Sequence, residues 1–284
     1  MSEFADAALV LVGHGSTLNG DSAAPTYQHA DAIRALKLFA EVHECFWKLE
    51  PNISAVLRGV HARRVFIVPL FISDGYFTEE IIPRELAMRS KDQPTFERAQ
   101  KRGDQELRYC EPVGTHDSMT QVLLARAQEV VDRHPFPHRP NTSDITLFIA
   151  GHGTGNNENS RKIIEHQVER IRARGEYAEA HAVFMEEDPR IQECYTLSKT
   201  RHIVMVPFFI SDGLHSYEDI PMMLGETEKN VRERLASGQP TWRNPTEKHN
   251  KRVWYSASVG SEPHIPDVIL ARVRESISWL LETK

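Results

Sequence analysis

The chain carries one pattern twice. Residues 12–83 run VGHGST…FWKLEP…VFIVPLFISDGYFTEEIIP, and residues 150–221 run AGHGTG…FMEEDP…IVMVPFFISDGLHSYEDIP. Matched positions stand 138 apart, so His14 pairs with His152, Pro51 with Pro189 and Pro83 with Pro221. The offset then becomes 146, where Gln93–Phe96 meets Gln239–Trp242 and the VLLAR of 122–126 meets the VILAR of 268–272. An eight-residue insertion after Pro221 accounts for the change. A period this long exceeds any solenoid unit and predicts two domain-sized halves from a duplication.

At 284 residues the chain has room for two domains that each bury a core. The repeat frame puts them at 1–138 and 139–284, joined by the Pro-rich, polar stretch His134–Ser143. Short apolar runs at Ala8–Val12, Glu44–Leu49, Val65–Phe71 and Leu107–Val113 predict four strands in the first half. Ile145–Ala150, Ala180–Met185, Ile203–Ile210 and Val253–Val259 predict four in the second. Their continuous β-branched and aromatic character suits parallel strands buried on both faces. Between them lie amphipathic helices. Asn159–Ala173 aligns Ile163, Ile164, Val168 and Ile171, and Ile265–Glu282 aligns Val268, Ile269, Val273, Ile277 and Leu280. Alternating strands and helices imply an α/β fold: two similar open, mainly parallel, flavodoxin-like sheets with right-handed crossovers.

Composition removes several function classes. A net charge of −6 argues against a general nucleic-acid binder. No apolar run approaches membrane-spanning length, and Glu3 and Asp6 precede the first apolar run, unlike a secretory signal. The three cysteines, Cys45, Cys110 and Cys194, form no CxxC pair, so a thiolate zinc site or iron–sulfur cluster is unsupported. Cys45 reads as a small buried apolar residue. The expected setting is reducing and cytoplasmic.

Where the halves disagree, chemistry is concentrated. His14 matches His152, but Phe77 stands opposite His215 and Lys48 opposite Glu186. All three second-half residues follow strands, on the rim where open α/β sheets bind ligands. The GHGTG at Gly151–Gly155 lacks the GxGxxG and GK[ST] spacings of phosphate loops, so its glycines serve a tight turn and leave His152 uncrowded. Asp74 and Asp212, with Ser73 and Ser211, recur in both halves and serve the turn. Asp188, opposite Glu50, is assigned to capping the helix that begins near Pro189. That leaves Glu186, a charge reversal against Lys48, for a half that must hold a cation. Two imidazoles and a carboxylate suit a divalent ion, in a site lacking HExxH spacing. Histidine phosphatases also place His-Gly after a first strand, but they need Arg before it, where this chain has Gly13 and Gly151.

GHGS/GHGT after the first strand, F-x-E before a proline, and VPFFISDG-x-H followed by IP resemble the class II tetrapyrrole chelatases, and most closely the sirohydrochlorin cobaltochelatases and ferrochelatases. The resemblance covers most of both halves. It implies two chelatase-like domains with the tetrapyrrole in the cleft between them. It also carries His152, Glu186 and His215 over as the metal-handling, catalytic set. The intact motif lies in the second half, whereas double-length enzymes of the closest subgroup often keep it in the first. The implied activity is insertion of Co2+ or Fe2+, as substrate, into sirohydrochlorin or a related tetrapyrrole, a lyase step of cobalamin or siroheme synthesis. No ATP or organic cofactor is implied. Arg190, Arg84 and Arg161 are candidates for the substrate's carboxylates, and His14 for a lesser role. The chain is expected to act as a monomer or homodimer, with no nucleic-acid or membrane partner. The competing reading is a non-catalytic carrier of metal or tetrapyrrole on the same fold.

Overall fold

The computed structural model describes residues 3–17, 22–153, 158–211 and 213–283. Thr154 and Gly155 of the GHGTG turn, and Asp212, lie outside the described residues. The chain forms two compact units, one of Met1–His116 with Pro263–Lys284 and one of Asp117–Glu262.

The first unit holds strands β1 (Ala7–Gly13), β2 (Glu41–Phe46), β3 (Arg64–Pro69), β4 (Ala99–Arg102) and β5 (Gln105–Tyr109). The second holds β6 (Ile145–Gly151), β7 (Glu179–Phe184), β8 (His202–Pro207), β9 (Thr246–Lys248) and β10 (Lys251–Tyr255). A two-residue β11 (Glu282–Thr283) returns to the first. The sheet orders are β11-β4-β5-β3-β1-β2 and β7-β6-β8-β10-β9. In each sheet the central strands run parallel; β9 is an antiparallel edge strand, and β4 pairs antiparallel with β5 and parallel with the edge strand β11. β1 and β6 are buried along their whole length, as expected of strands covered on both faces.

The long helices are α1 (Ala24–Leu36), α2 (Met119–Arg133), α3 (Glu158–Arg174), α4 (Glu228–Ala236) and α5 (Ile265–Ile277): α1 and α5 pack on the first sheet, α2 and α3 on the second, and α4 on the turns of residues 215–223. Short helical turns such as Ile53–Val56 and Ile82–Glu85 close the other face of the first sheet, where Ile53 and Ile82 join Val10, Val65 and Tyr109 in its core. The periodicity of α3 is as expected. α5 stops at Ile277, so Leu280 is 90% exposed rather than on the buried stripe. Cys45 is fully buried, and burial pushes its thiol pKa up.

The compact units do not follow the repeat. The repeat frame divides the chain at 138, whereas the contacts divide it at His116/Asp117 and again at Glu262/Pro263. The reason is an exchange of helices. α2 follows the first sheet in sequence but packs on β8 and β10, and α5 packs on β3. Twin buried arginines lock each exchange. Arg126 Nε donates to Ser258 O at 2.9 Å and Nη2 to Ser261 Oγ at 2.7 Å. Arg272 Nε donates to Pro112 O at 3.1 Å, and its Nη2 to Thr115 Oγ1. The Pro-rich stretch 134–143 therefore lies inside the second unit, where the Trp254 indole donates to His134 O.

The turn at Pro189 also differs from expectation. Asp188 is 86% exposed and meets Arg190, while Glu193 accepts from the Arg190 N–H and closes the turn. In the first half Asn52 plays the capping part by accepting from Ser54 N. A cap must reach the N–H groups of its own first turn, and Asp188 sits too far upstream.

Arg272→Ala removes the charged donor from the buried Pro112 carbonyl and the Thr115 hydroxyl, which are left with only their bond to each other. Urea unfolding of this variant should show a loss of about 2 kcal/mol, because the stranded groups are desolvated.

Candidate functional site

The site of the second unit grows from the end of β6. A β-carbon at residue 151 would lie 2.0 Å from Ile164 Cδ1, so glycine lets α3 seat against the strand. Gly153 has φ +69°, a left-handed conformation that glycine adopts without strain. Between these two, His152 turns out of the sheet. Its carbonyl accepts from Glu186 N at 3.0 Å, which ties the loop after β7 to the turn after β6. The first half repeats this backbone, with Lys48 N on His14 O at 3.1 Å.

His215 comes from a different device. Residues His215–Asp219 form a π-helical turn after β8, with Ile220 N donating to His215 O. Such turns are rare and recur at functional sites. Tyr255 pins this one to β10 by donating to Ser216 O at 2.7 Å. The first half has the same turn at Phe77–Ile81, pinned by Tyr109 to Thr78 O at 2.8 Å. β6 and β8 are neighbours, and β7 lies on the other side of β6. His152 and His215 thus flank the topological switch point, where sheets of this order bind their ligands.

The two imidazoles meet edge to face, with ring centroids 5.0 Å apart. His152 Nδ1 lies 3.0 Å from Gly153 O. A carbonyl only accepts, so Nδ1 carries the proton and Nε2 keeps its lone pair. His215 Nδ1 lies 2.7 Å from Asp219 Oδ2, which likewise leaves Nε2 for another partner. Glu186 Oε2 is 3.7 Å from His152 Nδ1, on the ring edge already bonded, and its side chain is 58% exposed. Among the described residues no three His, Cys, Asp or Glu side chains stand together in a metal-holding group. The three residues singled out from the sequence are neighbours. The imidazole pair is a donor set of the kind that suits a first-row metal, and Glu186 stands 3.7 Å from the bonded edge of His152.

Neighbouring charges engage the residues around Glu186. Arg161 lies over the Phe184 ring and donates to Glu187 Oε2 at 3.2 Å and Asp188 O at 2.9 Å. Glu187 is thereby held against the turn. Arg190 donates to Met185 O at 2.6 Å and Arg84 to Glu80 at 2.7 Å. All three arginines named from the sequence hold partners within their own units.

Asp219 is the residue the sequence reading missed. It orients His215 as carboxylates orient metal-binding imidazoles. The signal was available, because its repeat partner is Ile81, a fourth divergence on the same rim. In the first half the matching space is filled with rings. His14 packs 5.1 Å from Phe77 and 5.3 Å from Trp47, and Lys48 lies 4.7 Å over Trp47. His14 there has aromatic neighbours in place of a second imidazole.

The family model described as CbiX matches residues 8–130 and again residues 146–276. The chain is 42% identical over 279 residues to a protein of Halobacterium salinarum named probable sirohydrochlorin cobaltochelatase, covering 95% of this chain and 91% of that one. The sirohydrochlorin cobaltochelatase of Methanopyrus kandleri is 27% identical over 140 residues, which is 47% of this chain and 97% of the relative. A solved multi-domain protein of Deinococcus radiodurans, described as structurally similar to chelatases, superimposes with a TM-score of 0.75 at 29% identity, over 95% of this chain. This chain spans 55% of that protein's length.

A divalent ion between the two Nε2 atoms would feel the carboxylate behind His215. Asp219→Asn should weaken Co2+ binding by about 10–100-fold in a visible-absorption titration. Ile81→Asp in the first half should leave the affinity unchanged.

Proposed function

The chain belongs to the CbiX family, and from that premise we propose that it inserts a divalent metal, Co2+ or Fe2+, into sirohydrochlorin or a closely related tetrapyrrole, without ATP, in cobalamin or siroheme synthesis. The observation that carries this reading is the opposed imidazole pair at the switch point, with Asp219 behind one ring and Glu186 beside the other. The relatives' names support the substrate class, and the donor set supports a divalent first-row ion.

Metal insertion has three requirements. The ion must lose water, two pyrrole N–H protons must leave, and the ring must admit the metal. His152 and His215 hold the ion through Nε2 or take up the departing protons. Two nitrogen ligands grip an ion firmly enough to strip part of its water and loosely enough to give it up. Glu186, solvent-exposed at the edge of the pair, balances the cation's charge and passes protons outward. Asp219 holds His215 at Nδ1, which leaves Nε2 for the ion. None of these steps consumes a nucleotide, in keeping with a sequence that has neither phosphate-loop spacing.

Imidazole and carboxylate donors accept both Co2+ and Fe2+, so the choice between them is read by assaying each in turn. His215→Ala should slow insertion into purified sirohydrochlorin, followed by absorbance in nucleotide-free buffer, by about 100-fold or more. An unchanged rate would remove His215 from the mechanism. Wild-type protein should form many equivalents of product per chain, and a stop at one equivalent would reduce it to a carrier.

A further inference from the structure

The second unit contains a cavity of about 530 Å³ that the metal-handling residues do not line. Its size is that of a small-molecule site. Trp242 and Tyr255, both buried, line it, and each has its polar atom engaged elsewhere. The indole donates to Val253 O and the phenol to Ser216 O. Both rings therefore offer the cavity apolar surface.

The charged lining is one-sided. Arg126, Arg133, Arg234 and Arg243 line the cavity, against Glu129 as its one carboxylate. Glu129 is shared by Arg126 and Arg133. Arg234 donates to Thr241 O, and its Glu226 partner is 3.9 Å away and outside the lining. Arg243 is exposed. Arg126 is 5% exposed and uses three nitrogens on Ser258, Glu129 and Ser261, which leaves two of its five N–H donors. Ser216 also lines the cavity, is 4% exposed, and its hydroxyl has no partner among the described residues. A buried hydroxyl without a partner is unfavourable unless a ligand supplies one.

The repeat shows that the fold does not require this charge. Across the 146 offset Arg243 stands opposite Glu97 and Arg133 opposite Trp279, while the structural pair Arg126 and Arg272 is kept. Arg234 lies on α4, in the segment that contains the insertion. Arg133, Arg234 and Arg243 lie in the second unit, as do the imidazole pair and Asp219.

We propose that this cavity binds a small organic anion, with a flat apolar body against Trp242 and Tyr255 and its carboxylate or sulfonate facing Arg126, Arg243 and the Ser216 hydroxyl. The anion is either a separate molecule or a carboxylate arm of a larger ring. The probe is 1-anilinonaphthalene-8-sulfonate, a flat aromatic anion, titrated by fluorescence onto the full chain. One saturable site per chain is expected. Arg243→Glu should weaken it by about tenfold or more, because a carboxylate there repels the anion. Ser216→Ala should weaken it severalfold, and His215→Ala and Glu97→Arg should leave it unchanged. Arg243 is exposed, so circular dichroism should show the Arg243→Glu chain folded as the wild type. Equal binding by wild type and Arg243→Glu, or the absence of saturable binding, would overturn the proposal. Displacement of the probe by the octacarboxylate uroporphyrin assigns the anion to a ring substituent, and failure to displace it assigns a separate molecule.

Discussion

No side chain fits at residue 151. The atom that would begin one falls 2.0 Å from the tip of Ile164, and the next glycine, Gly153, has a backbone angle that side chains resist. This pair of vacancies determines how α3 meets β6 and how the chain leaves the strand. It also puts His152, and only His152, at the strand's end. The loop after β7 is then hung from the His152 carbonyl, so the position of Glu186 is inherited from the same turn. Packing of glycine against a helix is thus the first cause of a polar site several residues away.

The duplication separates scaffold from chemistry. Both halves keep the flanking glycines, the π-helical turn and the tyrosine that pins it. Only the fillings differ. One half holds two imidazoles and two carboxylates, and the other holds His14 among Trp47, Phe71 and Phe77. A retained π turn without a histidine shows that the turn is a packing solution in its own right. The half with two imidazoles uses a shape that both halves share.

The legible part of the structure was the part written in apolar runs and in the repeat. The four parallel strands of each sheet were visible because burial on both faces demands continuous Val, Ile, Leu and Phe. The edge strands were not. β4 is AQKR and β9 is TEK, polar sequences that pair antiparallel beyond the parallel strands, β9 at the edge of its sheet and β4 next to the two-residue β11. β2 begins at Glu41, earlier than its apolar residues suggested, for the same reason. The convergence of His152, His215 and Glu186 followed from strand-end logic. The distances among them did not, since side-chain rotation is absent from spacing. Asp219 was within reach of the comparison that found His215, and was missed because its π-turn partner lies four residues on. The helix exchange was hidden altogether. An amphipathic stripe states that a helix has a buried side, and says nothing about which sheet will bury it.

That exchange has a consequence for how the molecule comes into being. The first sheet takes one of its covering helices from residues that are translated after the whole of the second unit. Until Pro263–Lys284 has emerged, Leu9, Leu11 and Phe66 are part of an unfinished structure, although every strand of their central sheet has long been made. The second unit draws its own first helix from upstream and can close earlier. Of the two units, the one whose translation begins first is therefore completed second.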